Sequence, residues 1–201
     1  SMAGALIEAD DDALEQYILD SAYEIISVLK LQASMRLGWF LKQSSSFNDN
    51  NGQDVSSIND IISVERSDVE CTEGNLQSKK AYEDVGSMYE ASANDPKYLV
   101  SENKLFVYPS PTSTEGASYL YIPEYEVKNF SSGVSSLESS DGAKFPRNYE
   151  EALIICSSVK VLNRRLNDYL EKDEDVELVN GLQLQIQRLD QEYQKILGLT
   201  K

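Results

Sequence analysis

The chain has 201 residues, of which 41% are apolar and 26% charged, a composition that supports a single globular domain with a core of its own. Eighteen Lys and Arg against 34 Asp and Glu leave a net charge of −16, which excludes the diffuse attraction to phosphates on which broad nucleic-acid gripping depends. Histidine is absent, so Ser-His and Cys-His nucleophile pairs and the commonest zinc ligand are excluded as well.

Residues 1–12 lack the basic start and apolar run of a secretory signal, which predicts that the chain is not exported by that route. No apolar stretch approaches the ~18 residues needed to cross a bilayer, so no membrane association is expected. Leu14, Ile18, Ala22, Ile25 and Leu29 recur at the period of one helix face and predict a helix within an N-terminal helical region, 12–43. Asp12 and Glu15 have capping-box spacing, and Asp10 to Asp12 complement the positive end of the helix dipole. Gly38-Trp39-Phe40-Leu41 is a dense apolar knot whose burial must come from tertiary packing or from a partner. Residues 44–57 (SSSFNDNNGQDVSS) are rich in turn formers and predict a flexible loop.

A β-rich part with a connecting arm is expected over 58–123. Ile58, Ile61, Ile62, Val64, Val69 and Cys71 supply β-branched or small apolar residues for one long strand or two short ones. Cys71 and Cys156 are far apart, with no ligand spacing around either, and read as small buried hydrophobes. After a turn at Glu73-Gly74-Asn75, residues 75–95 form a polar arm with a helical turn. Tyr98-Leu99-Val100 and Leu105-Phe106-Val107-Tyr108 flank Ser101 to Lys104 as a β-hairpin with a four-residue connection. Pro109 and Pro111 stop its second strand, and Tyr119-Leu120-Tyr121-Ile122 adds a third, giving an antiparallel meander.

Residues 124–147 form a Ser-rich loop that could lie as an arm across a neighbour. From Asn148, whose spacing to Glu151 suits a cap, Ile155, Val159, Leu162, Leu166 and Tyr169 make one helical stripe. Leu178, Leu182, Ile186, Leu189, Tyr193 and Leu197 make another, with Asp173-Glu174-Asp175 between them, so 148–199 predicts an antiparallel helical hairpin. The expected fold class is α+β: an N-terminal helix and a C-terminal helical hairpin around a small antiparallel β-meander, with long extended loops.

Chemistry is sparsely signalled. Among so many carboxylates, pairs such as Glu124 with Glu126 or Glu150 with Glu151 arise by chance, and capping explains the acidic clusters. No Walker loop or dinucleotide fingerprint is present, and Gly116, Gly133 and Gly142 stand alone. The sequence therefore predicts no catalytic residue, no metal ligand and no cofactor. Its extended polar segments exceed what one core can use, which points to an interaction protein.

Three runs carry a resemblance: Asp95-Pro96-Lys97-Tyr98-Leu99-Val100 through Leu105-Phe106-Val107-Tyr108-Pro109-Ser110-Pro111-Thr112, then Tyr119-Leu120-Tyr121-Ile122-Pro123, then Phe145-Pro146-Arg147-Asn148-Tyr149-Glu150-Glu151-Ala152-Leu153. This pattern, over about residues 95–170 with weaker support at 12–29, resembles the head-to-tail connector, adaptor or neck proteins of marine tailed bacteriophages. The resemblance implies a non-enzymatic virion subunit, assembled in the host cytoplasm, in a homo-oligomeric ring of about twelve copies between portal protein and the tail, nozzle or neck proteins. DNA would pass through its channel without tight binding, an acidic wall letting the duplex slide. The chain departs from the pattern in its polar insertion at 44–57 and in its acidity.

Within that reading Trp39 and Phe40 are candidate interface anchors, joined by Tyr119 and Tyr121 in the sheet and by Phe130 and Phe145 in and beside the arm; core packing is the alternative for each, and for Tyr119 and Tyr121 it comes first. The alternative is an acidic monomeric or dimeric adaptor that binds a basic partner through residues 173–177.

Overall fold

A computed structural model describes residues 11–32, 35–48, 51–128, 136–139, 141–171 and 176–199. The fold class is α+β, with an N-terminal helix, β-sheets and a C-terminal two-helix hairpin. The chain divides into two compact units, 1–40 with 125–201 and 41–124, so the second is inserted into the first.

In the first unit, α1 (Asp11–Leu31) buries Ala22, Ile25 and Leu29 of the predicted face together with Ser21 and Ile26, while Leu14 and Ile18 are half-buried. Asp10 and the side chains of Asp11 and Asp12 lie outside the described residues, and the cap predicted there with them. α1 packs against α3 (Glu150–Glu171), which in turn packs against α4 (Val176–Leu197). Ile155, Leu162, Ile186, Leu189, Tyr193 and Leu197 of the two predicted stripes are buried. Val159, Leu166 and Tyr169 are half-buried and Leu178 is exposed, so the hairpin is dry at the end nearest α1 and progressively wet at the other. A 3-10 turn, Arg147–Tyr149, leads into α3 after Pro146, which corrects the cap expected at Asn148. Proline at 146 fixes an extended entry, and the turn starts two residues too early for Asn148 to cap it.

Of the Ser-rich loop expected at 124–147, residues 129–135 and 140 lie outside the described residues, and the segments beside them form two strands. β9 (Tyr125–Lys128) and β10 (Ser136–Ser139) pair antiparallel over four residue pairs. Tyr125, Val127 and Leu137 give this short hairpin an apolar side, with Tyr125 and Leu137 buried. The Tyr23 hydroxyl of α1 donates to the Tyr125 carbonyl at 3.4 Å and accepts from its N–H at 3.2 Å, satisfying both backbone groups of Tyr125 at the start of β9.

In the second unit, one sheet has the order β1-β8-β3-β4, with β1 at Lys42–Gln43, β3 at Ile58–Arg66, β4 at Val69–Glu70 and β8 at Ala117–Pro123. The other has the order β2-β7-β6-β5, with β2 at Gln53–Asp54, β5 at Thr72–Glu73, β6 at Lys97–Ser101 and β7 at Lys104–Tyr108. Val64, Ala117 and Tyr119 of the first sheet share one core with Leu105 and Val107 of the second. On the opposite side of the second sheet, Leu99 and Tyr108 pack with Tyr82 of α2 (Lys79–Glu83) and with Ala91. Two-sided burial is why residues 105–108 read as an unbroken apolar run.

The β6–β7 hairpin forms as expected but with a tighter connection. Ser101 and Lys104 pair, and only Glu102 and Asn103, both with positive φ, make the turn. β8 does not extend this hairpin into a meander. β7's other edge is taken by β2, and Pro109 and Pro111 carry the chain across to the facing sheet, where β8 pairs with β1 and β3. Of the loop expected at 44–57, residues 49 and 50 lie outside the described residues, and the rest is anchored. Ser44 exchanges hydrogen bonds with Tyr119, Phe47 with Ala117, and Phe47 and Val55 enter the core. Two apolar side chains among polar neighbours suffice to tether such a segment.

Candidate interaction surfaces

Adjacent residues of the apolar knot have opposite fates. The 3-10 turn Met35–Trp39 closes with Phe40 N–H donating to Leu37 O at 2.9 Å, and it drops Phe40 into the first unit's core at 1% exposure. Its ring lies 5.3 Å from Phe145 and 5.2 Å from Tyr149, and Phe145 lies 5.4 Å from Tyr125, a connected aromatic cluster. Phe145 is pinned there by its N–H, which donates to Leu137 O of β10. Trp39 stays 64% exposed. One step along a 3-10 turn rotates a side chain by about a third of a circle, so the two cannot share a face.

Tyr119 is buried between Phe47 and Tyr121, with ring centroids 5.9 and 5.4 Å away, and Tyr121 is half-buried beside it. Of the six aromatic anchors read from sequence, Phe40, Tyr119 and Phe145 are therefore corrected to core residues of this chain. Burial of a large ring within its own unit leaves nothing for a partner to cover. Trp39 remains available, Tyr121 is only partly so, and Phe130 lies outside the described residues.

Two exposed apolar groups stand out. The first is a corner where α1 meets the 3-10 turn: Leu31, Met35 and Trp39 are bare, Met35 being 95% exposed. Arg36, on the same turn, reaches the C-terminus of α4 and donates to Ile196 O at 3.5 Å, cationic capping that anchors the corner to the hairpin. The second is the loop 84–90 after α2. Gly86, at φ +86°, turns the chain, and Ser87 N–H donates to Asp84 O. Gly86 N–H donates to the Glu90 carboxylate at 2.6 Å, and Ala91 N–H returns the chain to Tyr82 O. The loop is thus held by its own hydrogen bonds while Val85, Met88 and Tyr89 project, Met88 at 91% exposure. Sequence reading took this stretch as a polar arm. The signal available was three large apolar residues around a glycine within five positions.

Charged residues are spread unevenly along the sequence here, and Asp95 pairs with Lys97 at 2.7 Å. No acid occurs between Glu24 and Asp49, where Lys30, Arg36 and Lys42 fall. No base occurs between Lys80 and Lys97, where Glu83, Asp84, Glu90 and Asp95 fall.

Several of the described ionisable groups are shifted by burial. Burial pushes the Cys156 thiol up, against a hydrogen bond with Ser21, and neighbouring Tyr193 is raised by burial with Cys156 and Glu24 adding to the effect. Burial pushes Cys71 up to about 11, with Arg66 opposing. Both sulfurs are held as thiols, the reverse of an activated nucleophile. Burial disfavours the Lys160 ammonium, but Glu24 at 2.7 Å outweighs it and the net shift is upward. Arg66, nearly fully buried, meets Glu115 at 2.6 Å, while its Nε has no partner. Among the described residues no group of three or more His, Cys, Asp or Glu is placed to hold a metal ion. No helix among them is long and apolar enough to cross a membrane.

Compared with protein-family models the chain matches none, and no curated protein matches it either.

Proposed function

We propose that the chain is a structural, non-enzymatic subunit of the connector ring that joins portal to tail in a tailed bacteriophage, residing in the neck of the virion. One observation carries this reading beyond the sequence resemblance. Large apolar side chains, Leu31, Met35, Trp39, Val85, Met88 and Tyr89, are left bare on a surface that is otherwise strongly acidic. Such side chains in water are unfavourable unless something covers them, and a subunit that completes itself against other copies is one that would carry them.

The residues that bear the resemblance are consistent with a scaffold role. Pro96, Leu99, Leu105, Val107 and Tyr108 of the hairpin region are buried, as are Phe145, Tyr149 and Ala152 at the entry to α3. They fix backbone geometry and present no chemistry. The net charge of −16 suits a channel through which a duplex slides, since it offers phosphates no array of cations.

The test is native mass measurement with negative-stain imaging of the chain alone and mixed with portal protein. A closed ring of many copies in either setting is the expected result. A monomer that persists in both overturns the reading and favours the acidic-adaptor alternative.

A further inference from the structure

We propose that the loop 82–91 is a docking knob for a different protein, and that its ligand is a short cationic segment in which Lys or Arg is interspersed with aliphatic side chains. A ring subunit and a lone adaptor would carry such a knob equally, so the pairing goes beyond the ring reading and does not rest on it.

The loop is built as a closed unit. Ala91 N–H donates to Tyr82 O at 3.2 Å and joins its two ends, and both end residues are buried in the cluster with Leu99 and Tyr108. Between them Ser87 N–H donates to Asp84 O and Glu90 N–H to Ser87 O, while Gly86 N–H donates to the Glu90 carboxylate and Tyr89 N–H to the Ser87 hydroxyl. The loop is thus held by its ends and its own polar groups, and its large apolar side chains take no part in holding it. Val85, Met88 and Tyr89 are instead 92%, 91% and 59% exposed. Together they leave on the order of 400 Å² in water, the size of the largest apolar patch on an ordinary monomer. Because the loop is already folded, a ligand that covers them does not have to order it.

Charge within the same loop sets the sign of the ligand. Glu83, Asp84 and Glu90 are exposed, and the loop contains no Lys or Arg. Just before it on α2, Lys79 lies over the Phe106 ring at 3.9 Å. Among the described residues none of the three carboxylates meets a Lys or Arg, Lys80 included, at ion-pair distance. Uncompensated carboxylates around an apolar centre favour a cationic ligand and repel an acidic one. A second copy of this chain, at −16, is therefore the poorer occupant. Covering about 400 Å² on each partner makes a small, transient interface, for which a dissociation constant of tens of micromolar is expected.

The probe is a fluorescent peptide of about twelve residues, Leu and Lys only, carrying a photoreactive leucine, with a Ser and Lys peptide of equal charge as control. Anisotropy with the full chain should show binding of the Leu peptide at about 50 mM salt, weakened several-fold at about 500 mM. The Ser peptide should bind at least tenfold more weakly. Photo-crosslinks should map to residues 84–90. Met88→Ser should weaken binding at least fivefold, and Glu83→Gln with Asp84→Asn should weaken it and flatten its salt dependence. Leu184→Ser, at an exposed position of α4, should leave it unchanged. Unaltered far-UV ellipticity and melting temperature are the folding control for these exposed positions.

Equal binding of the two peptides would reduce the effect to general attraction by an acidic protein and overturn the proposal. So would crosslinks at Leu31 to Trp39 or spread over the surface, an undiminished affinity in Met88→Ser, or no binding at about 100 μM peptide. Self-association of the wild type that Met88→Ser abolishes would make a second copy the occupant and overturn it as well. The portal experiment decides the ring reading separately in every case.

Discussion

Phe40→Ala and Trp39→Ala, substitutions at neighbouring positions, should differ sharply in their cost to the first unit. Phe40 is 1% exposed and its ring touches two others, at 5.3 and 5.2 Å. Truncation of such a residue costs about 3–5 kcal/mol, of which the two ring contacts supply about 1–2. Trp39, 64% exposed, has only about a third of its surface out of water. At ~25 cal/mol per Å² over a side chain of about 250 Å², its loss costs at most ~2 kcal/mol. With a urea slope of about 2 kcal/mol per M, Phe40→Ala should lower the midpoint by ~2 M and Trp39→Ala by under ~1 M. Far-UV ellipticity is the suitable probe because α1, α3 and α4 all belong to the first unit. Phe40→Leu, a milder change, should keep the same ordering if the alanine variant does not fold. Equal midpoints for the Trp39 and Phe40 variants would refute the assignment of one ring to the core and the other to the surface.

Three further outcomes follow from the second unit. Glu115→Gln should destabilise more than Arg66→Met: the first leaves a buried guanidinium without a counter-charge, whereas the second removes the charge altogether. Because Glu115 is half exposed, the loss for Glu115→Gln should be about 1–3 kcal/mol, below that of a fully buried pair. The reverse order of melting temperatures would contradict the burial of Arg66. Cys71, raised to about 11 from 9.0, stabilises the fold while it is protonated. Its contribution is fully present below pH 9.0, the unfolded value, and is lost as pH rises through about 11, on the order of 2 kcal/mol in all. Cys71→Ala should flatten the stability–pH curve in that window, and a curve of unchanged slope would count against the shift. Gly74→Ala would place a Cβ 2.8 Å from the Tyr82 ring and 3.0 Å from Leu99, displacing the cluster on the outer side of the second sheet. A loss of about 1–3 kcal/mol in denaturant unfolding is expected, and a neutral result would mean that this cluster yields easily.

The sequence by itself determined the local elements. Much of the face of α1 and of the two stripes of the C-terminal hairpin, and the β6–β7 hairpin, were legible because each depends on neighbours within about one helical turn or one strand pair, and the burial of Cys71 and Cys156 followed from residue type and spacing. Tertiary structure alone decided which elements share a core. β8 left the meander because β2 had taken β7's edge, and the polar-looking 44–57 segment was tethered by Phe47 and Val55 reaching a core built from distant strands. The same holds for the candidate surface. Trp39 is exposed, yet Phe40, Tyr119 and Phe145 have the same chemical character and are consumed by their own units, while Met35, Val85 and Met88 are left out. Hydrophobicity is a property of a residue, but exposure depends on what the rest of the chain brings against it, and that information is not local.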